Sequence, residues 1–117
     1  MQHPVVWFEV IGNDGDALCE FYRSLFGWRI DADNPMKYGM VDTQGASKGI
    51  PGGVGQTKPA EPPRVTVYVQ TPDLADTLAK AGKLGAKTVL PPTAIGDGTK
   101  IALFQDPQGH VIGLVAA

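Results

Sequence analysis

The sequence predicts an α+β domain of eight strands and two helices, and three observations carry that prediction. A strand-like run followed by a helix-like run occurs twice in 117 residues. Each pair is followed by short β-rich runs separated by turn residues. Apolar spacing switches from period two to period 3.6 at the same relative place in both halves. The first copy reads Trp7-Phe8-Glu9-Val10-Ile11, a turn with Asp14, a helical stretch, then Leu25-Phe26-Gly27. The second reads Thr66-Val67-Tyr68-Val69-Gln70, a turn with Asp73, a helical stretch, then Lys83-Leu84-Gly85. The offset is 59 from strand to turn (7 to 66, 14 to 73) and 58 at the closing glycine (27 to 85). Such a repeat implies two copies of one unit burying their faces together.

In the first half, Val5 to Ile11 is rich in β-formers, with Trp7, Glu9 and Ile11 on one face and Val6, Phe8 and Val10 on the other. Gly12 to Asp16 is a turn whose acidic residues suit a helix start. Leu18, Phe21, Tyr22, Leu25 and Phe26 then fall at i, i+3, i+4, i+7 and i+8, the apolar face of an amphipathic helix that Gly27 caps. Trp28 to Asp31 and Lys37 to Asp42 read as strands around the turn Asp33-Asn34-Pro35. Gly45 to Gly55 holds five glycines around Ile50 and Val54, the pattern of a strand closely approached by another backbone or by a ligand.

The stretch 57–63, with three prolines, reads as a linker. In the second half, Val65 to Gln70 is a strand and Pro72-Asp73 opens a helix with a weaker stripe of Leu74, Leu78, Ala81 and Leu84. Ala86 to Leu90 is a strand that Pro91-Pro92 should end, Lys100 to Gln105 another, and Val111 to Val115 the last. Between the final two, Asp106-Pro107-Gln108-Gly109 has the residues of a type I turn. Each half is β-α-β-β-β. The expected organisation is a single domain over 1–117, with module one about 4–56, the linker 57–63 and module two about 64–117.

Composition narrows the function classes. A net charge of −2 supplies no electrostatic case for nucleic acid or an anionic membrane. One cysteine, Cys19, allows no intrachain disulfide, and no apolar run approaches the roughly 20 residues of a membrane span. The N-terminus lacks the layout of a signal peptide. A cytoplasmic protein is expected.

The elements in this order, with Phe21-Tyr22 before Leu25-Phe26-Gly27-Trp28, then Gly49-Ile50-Pro51-Gly52-Gly53, Tyr68-Val69 leading to Asp73, and Phe104-Gln105-Asp106-Pro107-Gln108-Gly109-His110, resemble the vicinal oxygen chelate superfamily. This is the glyoxalase / bleomycin-resistance / extradiol-dioxygenase group. The resemblance covers almost the whole chain. It implies two modules forming a U-shaped open barrel, helices outside, with the site in the cleft between them, and often a homodimer.

Metal-dependent members resemble one another in holding a divalent ion with His or Gln on the first strand of each module and Glu on the last. Such a set suits Zn, Ni, Fe or Mn. The matching positions here are Trp7, Thr66 (Val65 if the register slips) and Gly113, and residues 45–57 contain no Asp, Glu, His or Cys. An indole is only a donor and glycine has no side chain. The expectation is a member with no metal and no cofactor.

The candidate ligand-binding residues are Trp7, Glu9, Thr66, Tyr68 and Phe104. Trp7 is either a stacking platform for a planar ligand or a filler of the space a metal would take. Glu9, on the same face, is either a base or cation binder, or a salt-bridged glutamate paired with Arg29 or Lys100. Tyr68 repeats the position of Glu9, so both are the catalytic candidates; Phe104 lies either in the cleft or in the core. Cys19 reads as inert, and His3 and His110 as surface residues that share a site only if the chain ends meet.

The leading expectation is a binder of a small amphipathic or planar molecule. The alternative is an enzyme of this superfamily (a lyase, isomerase or dioxygenase-like member) using Glu9 and Tyr68 or an atypical metal site. A purely structural dimer module is the third.

Overall fold

The computed structural model describes residues 2–43 and 48–117, so Gly45 of the glycine-rich stretch lies outside the described residues. Among them the elements run β1 (Val5–Gly12), α1 (Gly15–Phe26), β2 (Arg29–Asp31), β3 (Gly39–Asp42), β4 (Gly52–Gln56), β5 (Arg64–Thr71), α2 (Leu74–Lys83), β6 (Lys87–Ala94), β7 (Lys100–Gln105) and β8 (Val111–Ala116). This is the α+β class, with β-α-β-β-β stated twice. The chain gathers into two compact units, one of Trp7–Val65 and one of the N-terminal residues through Val6 with Thr66–Ala117.

In the Trp7–Val65 unit the strand order is β2-β3-β4-β1. β4 lies parallel to β1, with Phe8 opposite Gly52 and Glu9 opposite Gly53, while β2–β3 and β3–β4 are antiparallel. The parallel pair is possible because α1, β2 and β3 form the long connection it needs. Asp14 caps α1, its Oδ1 accepting from the Ala17 N–H at 3.0 Å. Gly27 closes the helix at φ 68°, a left-handed conformation that glycine adopts without cost, and its N–H donates to the Arg23 carbonyl.

The buried core of this unit is Cys19, Ile30, Val41 and Val54, with Phe8, Val10, Leu18, Tyr22 and Trp28 packed against it. The expected apolar stripe of α1 is therefore only half right. Phe21, Leu25 and Phe26 are 55%, 58% and 57% exposed, and the buried helix residues are Gly15 and Cys19. The reason is close approach. A side chain at Gly15 would stand 3.3 Å from the β4 backbone, and the Cys19 Sγ lies 3.8 Å from the Val54 carbonyl oxygen. The small ridge seats the helix on the sheet and leaves the large residues at its flank.

The other unit repeats the plan in the order β5-β8-β7-β6. β8 is parallel to β5, with Tyr68 opposite Gly113. Asp73 caps α2 as Asp14 caps α1, accepting from the Asp76 N–H at 3.0 Å. Leu74, Leu78, Ala102 and Leu114 form its core. Two expectations fail here. Leu84 is 80% exposed, because the helix ends at Lys83 and Leu84 is the cap residue, turned off the helical face. Pro91 and Pro92 lie inside β6 rather than ending it. β6 stands last in the strand order and its pairing with β7 shifts register between Thr88 and Leu90 and again between Leu90 and Thr93. An edge position with bulges is where a strand tolerates prolines, which have no N–H to donate.

Candidate functional site

Alternation along β1 sends Phe8 and Val10 into the α1 core and leaves Trp7 and Glu9 on the opposite sheet face. On that face β4 contributes Gly53 and Gly55 across from Glu9 and Ile11. The strand thus offers bare backbone at two alternate positions. Tyr38 fills the space. A Cβ at residue 53 would fall inside the Tyr38 phenol, and one at residue 55 would stand 2.9 Å from its ring.

The Tyr38 hydroxyl joins the two residues that sequence singled out. It accepts a hydrogen bond from the Trp7 indole Nε1–H at 3.2 Å and donates to the Glu9 carboxylate at 2.8 Å. The other Glu9 oxygen lies 3.4 Å from the Arg64 guanidinium. Glu9 is only 8% exposed, so its charge needs such partners. The ion pair anticipated with Arg29 or Lys100 is made with Arg64 instead, which begins β5.

The Tyr38 backbone is held as firmly as its hydroxyl. The Asn34 amide donates to the Tyr38 carbonyl at 2.7 Å, and the Asn34 side-chain oxygen accepts from the Tyr38 N–H at 3.0 Å. The preceding residue, Lys37, sits at φ 50°, a left-handed conformation that costs a non-glycine residue about 1 kcal/mol or more. Sequence reasoning placed Tyr38 within a strand and missed its role. The available signal was the pair of alternate glycines in β4, which require a covering ring from elsewhere.

The remaining candidates fall in the other unit. Thr66 is buried at 2% exposure. Tyr68 repeats Glu9 as expected: it stands opposite Gly113, and a Cβ at Gly113 would fall inside the Tyr68 ring. Phe104 does not share that face. It packs on the α2 core with Ala102 and Leu114, since Leu103, not Phe104, lies opposite Gly113. His3 borders a hollow of about 490 Å³ on the α2 side with Phe104, Asp73 and Leu84. His110 pairs with Asp106 through Nδ1 at 3.0 Å on the surface, so the two histidines have different neighbours. A second hollow, about 460 Å³, lies between the start of α1 and Pro63–Val65, bordered by Leu18, Phe21 and Arg64.

A metal set of the superfamily type does not fit these residues. The Tyr68 ring covers the closing-strand position Gly113, and Tyr38 covers Gly53, its counterpart across from Glu9. Trp7 offers an N–H already given to Tyr38. Among the described residues no three of His, Cys, Asp and Glu come together.

Cys19, Asp97 and Asp106 depart from their ordinary values. Burial pushes the Cys19 thiol up, against a smaller opposing effect of Arg23. The His110 backbone N–H, with that of Gln108, holds the Asp106 carboxyl down.

The sequence profile of the Glyoxalase-like domain matches residues 8–115. The Mycobacterium tuberculosis protein CFP32, named as a candidate glyoxylase, is 30% identical over 117 residues, covering 92% of this chain and 43% of that protein. The chain thus spans less than half the length of the curated relatives it matches. Among solved structures, a methylmalonyl-CoA epimerase in complex with methylmalonyl-CoA superposes with a TM-score of 0.69 at 17% identity, over 100% of this chain and 96% of that one. The Bacillus halodurans protein BH1468 gives 0.72 at 8% identity, covering 100% and 96%. A glyoxalase/bleomycin resistance protein/dioxygenase superfamily member from Vibrio splendidus gives 0.67 at 13% identity, covering 99% and 100%. At these identities the structural likeness concerns the fold alone.

Proposed function

This chain belongs to the glyoxalase-like domain family, and on that premise we propose that it binds a small, planar, amphipathic molecule without a metal ion. The observation that carries the reading is the array on one sheet face of the Trp7–Val65 unit. There a donor indole, a phenol hydroxyl and a carboxylate follow one another, the phenol ring lying over glycine backbone. Apolar side chains with a few convergent polar groups are the ordinary lining of a ligand site. Arg64 already balances the Glu9 charge, which favours a neutral polar ligand over a cationic one.

The test is tryptophan emission titrated against a panel of planar metabolites and antibiotics, on the wild-type protein and on Trp7→Phe. Trp28 packs among Phe8, Tyr22 and Phe26 on the helix side, so the substitution isolates the Trp7 response. Emission should change with at least one compound in the wild type and not in Trp7→Phe. A panel with no response from the wild type would sink the reading.

One observation favours a second reading, acid–base catalysis. The 2.8 Å bond from the Tyr38 hydroxyl to Glu9 pairs a carboxylate with a proton donor, the arrangement that proton transfer to and from a carbon acid needs. Here Tyr38 partners Glu9. Turnover lost in Glu9→Gln while ligand binding persists would favour it over the binder.

A further inference from the structure

We infer that the Tyr38 ring occupies a phenol-recognition site, and that a small phenolic ligand binds there by displacing it. The inference rests on the binding reading above and narrows its ligand class.

The hydrogen-bonding groups select the ligand. The Trp7 indole N–H is donor only, and the Glu9 carboxylate, when ionised, is acceptor only. A group placed between them must accept from one and donate to the other, as the Tyr38 hydroxyl does at 3.2 Å and 2.8 Å. An ammonium would satisfy Glu9 but has nothing to accept with. A carboxylate would satisfy Trp7 but repel Glu9. A neutral hydroxyl does both. The floor selects the rest of the molecule: with no side chain at Gly53 or Gly55, only a flat ring lies against both.

The fold holds the backbone of Tyr38 in place. Asn34 clamps the Tyr38 N–H and carbonyl, and Lys37 keeps its left-handed φ of 50°. Tyr38 as a residue is half-buried, and displacement turns its ring off the floor about the side-chain torsions. In the resting protein the tyrosine is then an internal competitor, and apparent affinity is scaled by the fraction of molecules with the ring displaced. Removing the competitor must tighten binding of a free phenol.

The probe is 4-methylphenol, the tyrosine side chain without its backbone, with toluene as the analogue lacking the hydroxyl. Binding is measured by calorimetry and by the shift of the Trp7 indole N–H resonance in wild type, Tyr38→Ala, and Tyr38→Ala combined with Glu9→Gln. Tyr38→Ala should bind 4-methylphenol at least tenfold tighter than wild type and at least tenfold tighter than it binds toluene. Adding Glu9→Gln should erase that preference. Equal binding of both probes, or of neither, by folded Tyr38→Ala overturns the inference. If Tyr38→Ala does not fold, Tyr38→Phe serves: its ring lacks the two hydrogen bonds and should yield to 4-methylphenol more readily than the wild-type ring, and no tightening overturns the proposal. A planar compound without a hydroxyl that shifts Trp7 in the wild type while 4-methylphenol does not would overturn the phenol assignment and leave the binding reading standing. If 4-methylphenol fills Tyr38→Ala while nothing on the panel reaches the wild type, displacement is refuted together with that reading.

Discussion

A hydroxyl that accepts from an indole and donates to a nearly buried carboxylate does work that the ring beneath it cannot do alone. Tyr38→Phe keeps the ring over Gly53 and Gly55 and removes both bonds. The expected loss is about 1.5–3 kcal/mol, the range for a hydrogen bond to a charged group, measured by urea unfolding. A loss below about 0.5 kcal/mol would mean that water replaces the hydroxyl without penalty. Gly53→Ala meets the opposite difficulty, since its Cβ would fall inside the Tyr38 phenol. It should cost about 1–3 kcal/mol as an overpacking change. Most of that cost should vanish when it is combined with Tyr38→Ala, a coupling that a double-mutant cycle reads directly. Trp7 and Glu9 were legible as neighbours from strand alternation alone. Tyr38 was not, because nothing local tells an aromatic just before β3 that its ring will cover a strand fifteen residues later.

The two helices were legible because their signals are local: an acidic N-cap, a 3.6 period, and a glycine just past the end. Asp14→Ala and Asp73→Ala should each lower stability by about 1 kcal/mol through loss of the capping bond. Which helix face is buried was less legible, because Gly15 and Cys19 carry little apolar signal next to Phe21 and Phe26. Burial of Cys19 has a chemical consequence. Desolvation holds its thiol above the ordinary value, so the native protein should resist alkylation at neutral pH and react on unfolding. Because the folded-state value is the higher one, this group's contribution to stability is complete below the ordinary thiol range and is lost as pH rises through the native value. Asp106 runs the other way. Backbone N–H groups of His110 and Gln108 hold its carboxyl low, so its contribution is complete above the ordinary carboxylate range and fades as pH falls through the native value. Carbon-detected NMR titration should find Asp106 titrating below a free aspartate; an ordinary midpoint would mean that the turn does not hold the carboxylate. The Pro91-Pro92 misreading has a similarly plain cause: proline excludes a central strand, and only the sheet order reveals that β6 stands at an end.

If no ion is part of the fold, removing divalent metals should leave stability untouched. A chelator added to purified protein is expected not to move the thermal midpoint, and elemental analysis to find no stoichiometric divalent ion. A drop of several degrees, or one ion per chain, would restore the metal reading. The expectation stems from the donor set: glycines under aromatic rings at Gly53 and Gly113, and no triple cluster of ligating side chains among the described residues. By itself the sequence determined the α+β class, the doubled β-α-β-β-β order and the caps. These follow from periodicity and residue chemistry, which act over a few positions. Tertiary structure alone decided that Arg64 pairs with Glu9, that Phe104 joins the α2 core, and that Tyr38 closes the array. Each depends on which strands become neighbours and in what register, and a one-residue slip there would send every side chain to the other face.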